Sequence, residues 1–533
     1  MSQYPRVLPV GDTAVTLELG DSIDPDLGAQ VRALDRALVE QPFPGFVEAV
    51  PSYRSLLVAY DPRATTFKEV AARLLSSLRT AGAKGPAGRL HRLPTLYGGE
   101  HGQDLEEVAR GRGLSPDEVV ARHSGAEYTA AMLGFVPGFA YLGPVPRELE
   151  TPRRATPRTR VPAGSVALAG RQTAVYPAAT PGGWNLIGRT AARLFDALRD
   201  PPALIQPGDR VRFEPVATLT EAEPARRVTG EPGAAVIEIE EPGLLTAVQD
   251  RGRRGHRRLA VGSAGALDVP ALDAANAALG NPENAAALEC TVAGPRLRFL
   301  ANLAFAISGA DLGAVLERSD LGFWPVPLGT EVLARAGNVL SFAGRRTGCR
   351  AYVALAGGVD VAIVLGARAT DLAGGFGGFE GRTLRAGDRL GVGPTPTGSG
   401  RTASPAPPPA SSVRARVIPG PQAEQFDQAA LDRLLSEEWK VGAASDRAGL
   451  RLEGPPLSHR GAAEIVSDGM LPGCIQVPPD GRPIVMLADA PTTGGYPKIA
   501  TVVSADLPAL GQLLPGEGRL SFEVAALGGL ASR

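Results

Sequence analysis

The sequence of 533 residues is poor in the residue types that form disulfides and metal sites, with three cysteines and five histidines. Three cysteines over this length do not make a disulfide framework, which favours a reducing, cytoplasmic compartment. The histidines are scattered and none lies at metal-ligand spacing from another, so no metal site is predicted. Lys and Arg (55) nearly balance Asp and Glu (56), which argues against a nucleic-acid partner, because such proteins usually carry a basic surplus.

Segments for export and for membrane insertion are also missing. The first residues lead into Gly11 without the basic and then apolar stretch of a secretory signal. The most apolar run, residues 299–316, is interrupted by Asn302, Ser308 and Asp311 and is too polar to span a membrane. We therefore expect a cytoplasmic protein without a membrane partner.

The common short motifs of enzymes are absent as well. The sequence has no GxxxxGK[ST] phosphate loop, no GxGxxG, no HExxH and no GxSxG. It also lacks a Met-Lys-Met attachment site for biotin and the Gly-Ser-Ser nucleophile segment of amidase-signature enzymes. The enzyme classes that these motifs mark are therefore not indicated.

Glycine and proline are what the chain has in excess. Its 66 Gly and 48 Pro make up about a fifth of the residues, against about an eighth in average proteins, and they lie between short apolar stretches. Such spacing is typical of short strands joined by tight turns. We expect a mainly β protein built from barrels or sandwiches.

Composition divides the chain into four predicted units: residues 1–83, 89–216, 234–393 and 413–524. The first is expected to be a small α+β domain, because two strands are each followed by an amphipathic helix that begins near Asp24 or Thr66. The predicted boundaries are polar or rich in Gly and Pro, at residues 83–88, 218–233 and 394–412.

An internal repeat relates the second and fourth units. Residues 162–187 and 472–499 share a Pro-led turn, a Gly-Arg pair and a Gly-Gly-aromatic loop. Each copy is followed by a Pro-Gly turn and a closing strand, at residues 206–213 and 514–522. Two barrels on one plan are therefore predicted, while the third unit shares only the closing turn, at residues 385–390.

Lys498 is the strongest chemical candidate in the repeat. The chain has four lysines, and this one follows a Gly-rich loop, residues 492–497, among apolar residues. A lysine ammonium is a compact charge that suits a phosphate or a carboxylate, and its pKa shifts readily on burial. A surface lysine is the alternative that the residues leave open.

The other candidates each have a structural alternative. Trp184 and Tyr496, which follow the two Gly-Gly pairs, either cover a pocket or close a barrel end. Asn185 suits an amide ligand but is also an ordinary turn residue. Asp489, at the end of an apolar strand, is placed to face a cavity, whereas Asp468 before a glycine is typical of a turn.

Arginines cluster at residues 152–160 and 251–258, and both clusters are expected to be solvated faces. Arg side chains beside Gly turns also suit a carboxylate or a nucleotide phosphate. Cys474 stands where the other repeat has Ser165, so a buried small residue is expected there rather than a nucleophile.

Several long stretches resemble a known family. Through residues 50–58, 97–100, 134–142 and 156–190, the first half resembles the B subunit of the bacterial ATP-dependent 5-oxoprolinase, whose relatives are also called allophanate hydrolase subunit 1 or kinase inhibitor. The second half is similar to the C subunit, whose relatives are called allophanate hydrolase subunit 2, and to the carboxyltransferase part of urea carboxylase. The stretches that carry this second resemblance are residues 242–250, 357–360, 444–454 and 467–501.

The resemblance covers nearly the whole chain and implies a fusion of the B and C subunits. It implies cyclophilin-like β-barrels for the last three units and ATP-coupled opening of the lactam of 5-oxoproline to glutamate. It also implies ATP, with Mg as its counter-ion, and as the partner a separate A subunit of the lactam-utilisation family.

The same resemblance places pocket residues in both barrels. It implies catalytic roles for Lys498, Asp489 and Asp468, with Asp489 as a base or an orienting group. Lys498 and Arg158 are expected to bind phosphate or carboxylate, and Asn185 and Gln476 the lactam amide. The substrate-binding residues that it implies are Tyr141, Arg158, Gln172, Asn185, Gln476 and Tyr496.

Two other functions stay open at this point. An amide-directed carboxyltransferase needs a biotin carrier that is encoded elsewhere. A non-catalytic regulator would bind a histidine kinase through the B-like half alone. An allophanate hydrolase is disfavoured, because the amidase nucleophile segment is missing. A homo-oligomer is possible, and the sequence does not reveal the oligomeric state.

Overall fold

A computed structural model describes residues 4–80, 88–220, 234–395 and 410–525. The three predicted boundary segments fall largely outside these residues. The described ranges contain 34 strands and seven helices, which confirms the prediction of a mainly β protein. Within the same ranges no helix is long and apolar enough to cross a membrane.

The N-terminal part is an antiparallel sheet with two helices, and its strand order is β1-β2-β4-β3. Asp24 begins the first helix, because its side chain accepts hydrogen bonds from the backbone N–H groups of Asp26 and Leu27. Sequence analysis identified two of the four strands and both helices. The elements are β1 (Arg6–Val10), β2 (Ala14–Glu18), α1 (Pro25–Glu40), β3 (Phe46–Pro51), β4 (Ser55–Tyr60) and α2 (Phe67–Thr80).

The first closed barrel has seven strands in the cyclic order β5-β12-β9-β10-β7-β6-β13. Its last strand runs parallel to its first, and this pairing closes the barrel. The predicted capping box of Ser115 and Glu118 begins α4. The elements are β5 (Leu90–Tyr97), α3 (Leu105–Arg112), α4 (Pro116–Gly125), β6 (Tyr128–Leu133), β7 (Ala140–Gly143), β8 (Arg158–Val161), β9 (Ser165–Ala169), β10 (Gln172–Val175), β11 (Thr180–Gly182), β12 (Asn185–Arg189) and β13 (Arg210–Pro215).

The middle part contains a seven-stranded and a five-stranded sheet, so the closed barrel expected for residues 234–393 is wrong. Neither sheet closes on itself, because the end strands, β20 and β24 in one sheet and β15 and β21 in the other, do not pair with each other among the described residues. The elements are β14 (Ile237–Glu241), β15 (Leu245–Gln249), α5 (Val269–Ala278), β16 (Ala287–Thr291), β17 (Arg296–Phe299), β18 (Leu303–Asp311), β19 (Ala314–Arg318), β20 (Gly322–Pro325), β21 (Val332–Ala334), β22 (Val339–Phe342), β23 (Thr347–Leu355), β24 (Val359–Asp360) and β25 (Arg389–Val392).

The last part is a second closed barrel, in the cyclic order β26-β33-β30-β31-β28-β27-β34. This order matches that of the first barrel strand for strand, which confirms the two barrels on one plan. Here too the last strand runs parallel to the first. The elements are β26 (Ser412–Pro419), α6 (Gln428–Ser436), β27 (Trp439–Val441), β28 (Gly449–Glu453), β29 (Asp468–Gly469), β30 (Cys474–Gln476), β31 (Ile484–Met486), β32 (Thr493–Gly494), β33 (Lys498–Val502), α7 (Leu507–Leu510) and β34 (Arg519–Val524).

The N-terminal sheet packs directly against the last barrel. Strands β2 and β4 are buried on both faces, which a sheet covered by helices on one side alone does not show. Val50 and Leu57 of the sheet share one apolar cluster with Met470, Cys474 and Met486 of the last barrel. The two ends of the chain therefore meet in the fold, and Cys474 is buried as expected.

Residues 251–265, here called the arginine segment, lie partly between the units. The expected solvated face is wrong for Arg253 and Arg257, which are buried, whereas Arg251 and Arg254 are exposed. Arg257 bonds Glu48 of β3 (Nε–Oε1 3.1 Å), and Arg258 bonds Asp35 of α1 (Nη2–Oδ2 2.9 Å). Leu259 packs in the core of the first barrel. The charges are buried because carboxylates of the N-terminal sheet and helix meet them.

Asp35 gives a test of this contact. Burial raises the pKa of its carboxyl to about 6, against the opposing charges of Arg258 and Arg36. Between pH 3.8 and about 6, the Asp35 carboxyl is ionised in the unfolded chain and still protonated in the folded protein. Folding therefore takes up a proton, and the free energy of unfolding falls as the pH rises through this range. The full effect of Asp35 is about 3 kcal/mol, at about 1.4 kcal/mol per pKa unit.

We expect Asp35→Asn to gain stability relative to the unmodified protein as the pH rises from 4.5 to 7. The measurement is the thermal unfolding midpoint of both proteins at several pH values. The control is Asp21→Asn, at an exposed carboxyl. Its unfolding midpoint should differ from that of the unmodified protein by the same amount at every pH. A pH-independent difference for Asp35→Asn would contradict the buried, proton-binding carboxyl.

Candidate active site

A buried ion pair joins the last barrel to the N-terminal sheet. Lys498 begins β33 and its Nζ lies 3.2 Å from Oδ2 of Asp468 in β29, with both side chains essentially unexposed (0% and 1%). The Ser55 hydroxyl, at the start of β4, donates a hydrogen bond to Oδ1 of the same carboxylate. The backbone N–H of Gly469 donates to that oxygen as well, at 2.8 Å. Lys498 is therefore not the surface lysine that the sequence left open.

A second buried carboxylate lies beside this pair. Glu18 of β2 is 3.4 Å from Nη1 of Arg54. The Gln422 amide lies between the two acids, with its Nε2 at 3.4 Å from both Glu18 Oε1 and Asp468 Oδ2. Its carbonyl oxygen accepts the backbone N–H of Lys498 at 3.3 Å. The cluster thus contains two acids, and residues from both ends of the chain form it.

The surroundings push the pKa values of the two acids in opposite directions. Burial and the charge of Asp468 raise the pKa of Glu18. Burial alone would raise the pKa of Asp468, but the charge of Lys498, the Ser55 hydrogen bond and Arg54 hold it below its usual value. Two neighbouring acids with divergent pKa values are a common arrangement where one stays ionised and the other exchanges a proton.

The last barrel also contacts an aromatic cluster on the first barrel. Tyr141 packs against Trp184, with ring centroids 5.9 Å apart. Burial raises the pKa of Tyr141 to about 12, against the opposing effects of Arg153 and of Thr493 in β32. Gly134 leaves the space that Thr493 fills, since a Cβ there would collide with its Oγ1. Tyr141 is therefore part of the contact between the barrels.

Two hydroxyls at this contact are buried and lack a hydrogen-bond partner among the described residues: those of Tyr53 and Thr492. Buried polar groups in proteins are nearly always hydrogen-bonded. These hydroxyls, close in sequence to Ser55 and Lys498, are suited to bind oxygen or nitrogen atoms of a ligand.

Gln476 and Tyr496 hold the loop before Lys498. The Gln476 amide, buried in β30, donates to the backbone carbonyl of Tyr496 at 3.2 Å. A Cβ at Gly494 would collide with the same amide, so the glycine allows the close approach. The structure thus brings Gln476, Tyr496, Lys498 and Asp468 together in one barrel end.

Arg158 and Asn185 lie in the first barrel and make structural contacts. Arg158 bonds Asp104 at 2.7 Å (Nη2–Oδ1). The Asn185 amide donates to the carbonyl groups of Pro152 (2.8 Å) and Leu168 (3.2 Å). Both side chains tie residues 152–158 to the barrel, and part of their hydrogen-bonding capacity is used there.

Two further predicted residues lie apart from Lys498. Asp489 binds Arg447 through both oxygens, at 2.8 and 3.0 Å, and Arg447 also contacts Glu289 of β16. These acids raise the pKa of Arg447, although burial opposes the rise. Gln172 lines a cavity between α1 and the first barrel, beside Tyr53.

Glu18, Ser55 and Gln422 were not predicted as site residues. Ser55 and Asp468 are 413 positions apart, so no local spacing links them. The available signal was residues 50–58, one of the stretches that carried the family resemblance and that contains Ser55.

Comparison with known proteins places both halves in one family. The carboxyltransferase domain, subdomain C and D, matches residues 5–205, and subdomain A and B matches residues 259–524. An alignment of 289 residues is 40% identical to the 5-oxoprolinase C subunit of Escherichia coli (strain K12) and covers 53% of this chain and 89% of that protein. Another, of 222 residues, is 41% identical to the 5-oxoprolinase B subunit of Bacillus subtilis (strain 168) and covers 39% of this chain and 91% of that protein.

A crystal structure of TTHA0988 has the same architecture over nearly the full length. It is 38% identical, covers 96% of this chain and 99% of that chain, and superposes with a TM-score of 0.84. The chain therefore belongs to the carboxyltransferase-domain family of the 5-oxoprolinase subunits, with its B-like part first and its C-like part second in one polypeptide.

Proposed function

We propose that this chain is the B and C component of an ATP-dependent 5-oxoprolinase and works with a separate A subunit. The observation that carries the proposal is the cluster of Lys498, Asp468 and Ser55, to which the B-like and the C-like parts both contribute. The near-complete coverage of both the B and the C type by one chain supports the same assignment.

The reaction is the hydrolysis of the lactam of 5-oxoproline. The C–N bond breaks, and one water supplies a hydroxyl to the carbonyl carbon and a proton to nitrogen, so that L-glutamate forms. A second water is consumed as ATP is hydrolysed to ADP and phosphate. ATP, with Mg as its counter-ion, supplies the activation that an unstrained amide needs. The donors here that fit phosphate or carboxylate oxygens are the Lys498 ammonium and the unpartnered hydroxyl of Thr492.

The residues of the cluster divide the remaining tasks. We assign charge stabilisation to Lys498, which Asp468 holds in place. Glu18, with its raised pKa, is suited to exchange the proton that ring opening requires. Asp489 acts through Arg447 as an orienting group rather than as the base, because both its oxygens bind that guanidinium.

The other candidate residues surround this centre. Tyr141 contributes from the aromatic cluster, and Gln476 and Tyr496 position the loop that leads to Lys498. Arg158 and Asn185 support the first barrel. Arg158 keeps a donor for a ligand, since its Nη1 is buried without a partner among the described residues, whereas Asn185 keeps only its side-chain oxygen as an acceptor.

A second function is favoured by the family description itself, since both matching families are carboxyltransferase subdomains. An amide-directed carboxyltransferase would take its carboxyl group from a biotin carrier on another protein. A biotinylated partner that co-purifies with the chain, together with carboxylation of an amide substrate, would favour this function over the oxoprolinase.

The direct test measures glutamate and ADP release from 5-oxoproline and ATP. We expect turnover when the chain is combined with an A subunit of the lactam-utilisation family and none with either protein alone. The control is the same lactam-utilisation protein with separate B and C proteins, which proves that it is active. If the fused chain releases no glutamate or ADP while that control is active, the oxoprolinase assignment is rejected.

Lys498→Ala tests the centre. We expect turnover to fall about 100-fold or more, the loss seen when one donor for transition-state charge is removed. The exposed Lys440, paired with Glu453 at 3.7 Å, gives the matched control Lys440→Ala, which should keep full turnover.

Because Lys498→Ala leaves Asp468 buried without its partner, it also costs about 3–5 kcal/mol of stability. The double variant Lys498→Met with Asp468→Asn removes both charges and should recover the thermal unfolding midpoint. Turnover that recovers together with stability would show that the pair is only structural, and the assignment of Lys498 would be wrong.

A further inference from the structure

A cavity of about 90 Å³ lies between α1 and the outer face of the first barrel. Its lining includes Arg32 of α1, Tyr53 from the turn before β4, and Gln172 at the start of β10. A space of this size holds several water molecules or a small organic acid.

Arg32 is the unusual group in this lining. Its guanidinium has no hydrogen-bond or ion-pair partner among the described residues, although it is only partly exposed. The comparable Arg54 and Arg257 each bind a glutamate, at 3.4 and 3.1 Å. Burial and the neighbouring charge of Arg36 lower the pKa of Arg32, as expected for a cation without a compensating anion.

The side chain of Arg32 is nonetheless held in place. Its Cδ runs over Gly208, where a Cβ would lie 3.3 Å away. Its Nη1 lies over Gly28 in the first turns of α1, where a Cβ would approach to 3.0 Å. A glycine inside a helix costs about 1 kcal/mol relative to alanine, and here it leaves room for the guanidinium.

The remaining polar groups of the lining complement a carboxylate that also carries an amide. The Gln172 amide has no hydrogen-bond partner among the described residues, and Thr129 and the exposed Arg171 complete the polar lining, while the Tyr53 ring supplies an apolar wall. Asp24 is the only acid among the described lining residues, and its carboxylate accepts the backbone N–H groups of Asp26 (2.7 Å) and Leu27 (3.4 Å) as the cap of α1. A guanidinium is the preferred partner of a carboxylate, because its N–H groups bind both oxygens.

The cavity is connected with the candidate active site through three consecutive residues. Tyr53 lines the cavity, Arg54 binds Glu18, and Ser55 donates to Asp468. The Tyr53 ring also lies edge-on to Tyr141, with centroids 6.4 Å apart. A ligand in the cavity therefore lies against the turn that positions the cluster of Lys498.

We propose that this cavity binds a small amide-bearing carboxylic acid, with Arg32 as the receptor of its carboxylate and Gln172 as the partner of its amide. Resting on the proposed function, this ligand is the substrate 5-oxoproline, which has one carboxylate and one amide on a compact ring. The cavity holds it beside the turn that positions the cluster, since none of Lys498, Asp468 and Glu18 lines it.

The test is calorimetric titration of the full chain, without ATP and without the lactam-utilisation partner. The probes are 5-oxoproline, the open-chain amide acid N-acetylglycine, and 2-pyrrolidinone, which keeps the lactam and lacks the carboxylate. We expect 5-oxoproline to bind at least 10-fold more tightly than 2-pyrrolidinone. Arg32→Gln should remove that difference, and Arg36→Gln, one turn along α1 and outside the lining, should preserve it.

Arg32→Lys is the control for a folding defect, since it keeps a positive charge at the same place. Its affinity for 5-oxoproline should lie between those of the unmodified protein and Arg32→Gln. Equal affinity of 5-oxoproline for the unmodified protein and Arg32→Gln would overturn the proposal. Arg32-dependent binding of N-acetylglycine without 5-oxoproline binding would support the cavity and count against the oxoprolinase. Turnover of 5-oxoproline by Arg32→Gln with an unchanged KM would support the oxoprolinase and count against the cavity as a site for its substrate.

Discussion

The architecture depends on buried arginine charges that are neutralised across unit boundaries. The arginine segment lies where the N-terminal sheet, the first barrel, the middle sheets and the last barrel meet. Arg257 and Arg258 bind Glu48 and Asp35, and Ser263 donates to the carbonyl of Ala488 at 3.3 Å. A buried charge without a partner costs several kcal/mol, so each contact is tolerated only when the units are assembled correctly.

The same constraint shapes the candidate site. Lys498 is compatible with complete burial because Asp468 lies beside it, and Asp468 is held ionised by groups from the other end of the chain, Ser55 and Arg54. Neither part of the chain supplies the full set of partners. The cluster is therefore stable only in the assembled fold. Separating the N-terminal sheet from the last barrel would leave Glu18 and Asp468 without some of the groups that stabilise their charges.

Sequence reasoning worked where the signal is local or repeated. The Gly-Gly-aromatic repeat predicted two barrels, which have the same strand order, and the Ser115–Glu118 box predicted the start of α4. It failed where long-range pairing decides the outcome. The closing turn at residues 385–390 is present, yet its strand belongs to an open sheet, and nothing local specifies whether the end strands of that sheet meet. The burial of Arg257 likewise depends on Glu48, a carboxylate 209 positions away.

Joining the two parts in one polypeptide changes the thermodynamics of the candidate site. Association of separate proteins costs translational and rotational freedom, whereas a covalent connection makes the same contact intramolecular and fixes the stoichiometry at one to one. A contact that contains buried ion pairs gains most from this, because such pairs contribute little net affinity of their own. Because the two parts are fused, the contact between β4 and β29 does not have to supply the affinity that separate proteins would need, so it can consist largely of polar and charged groups.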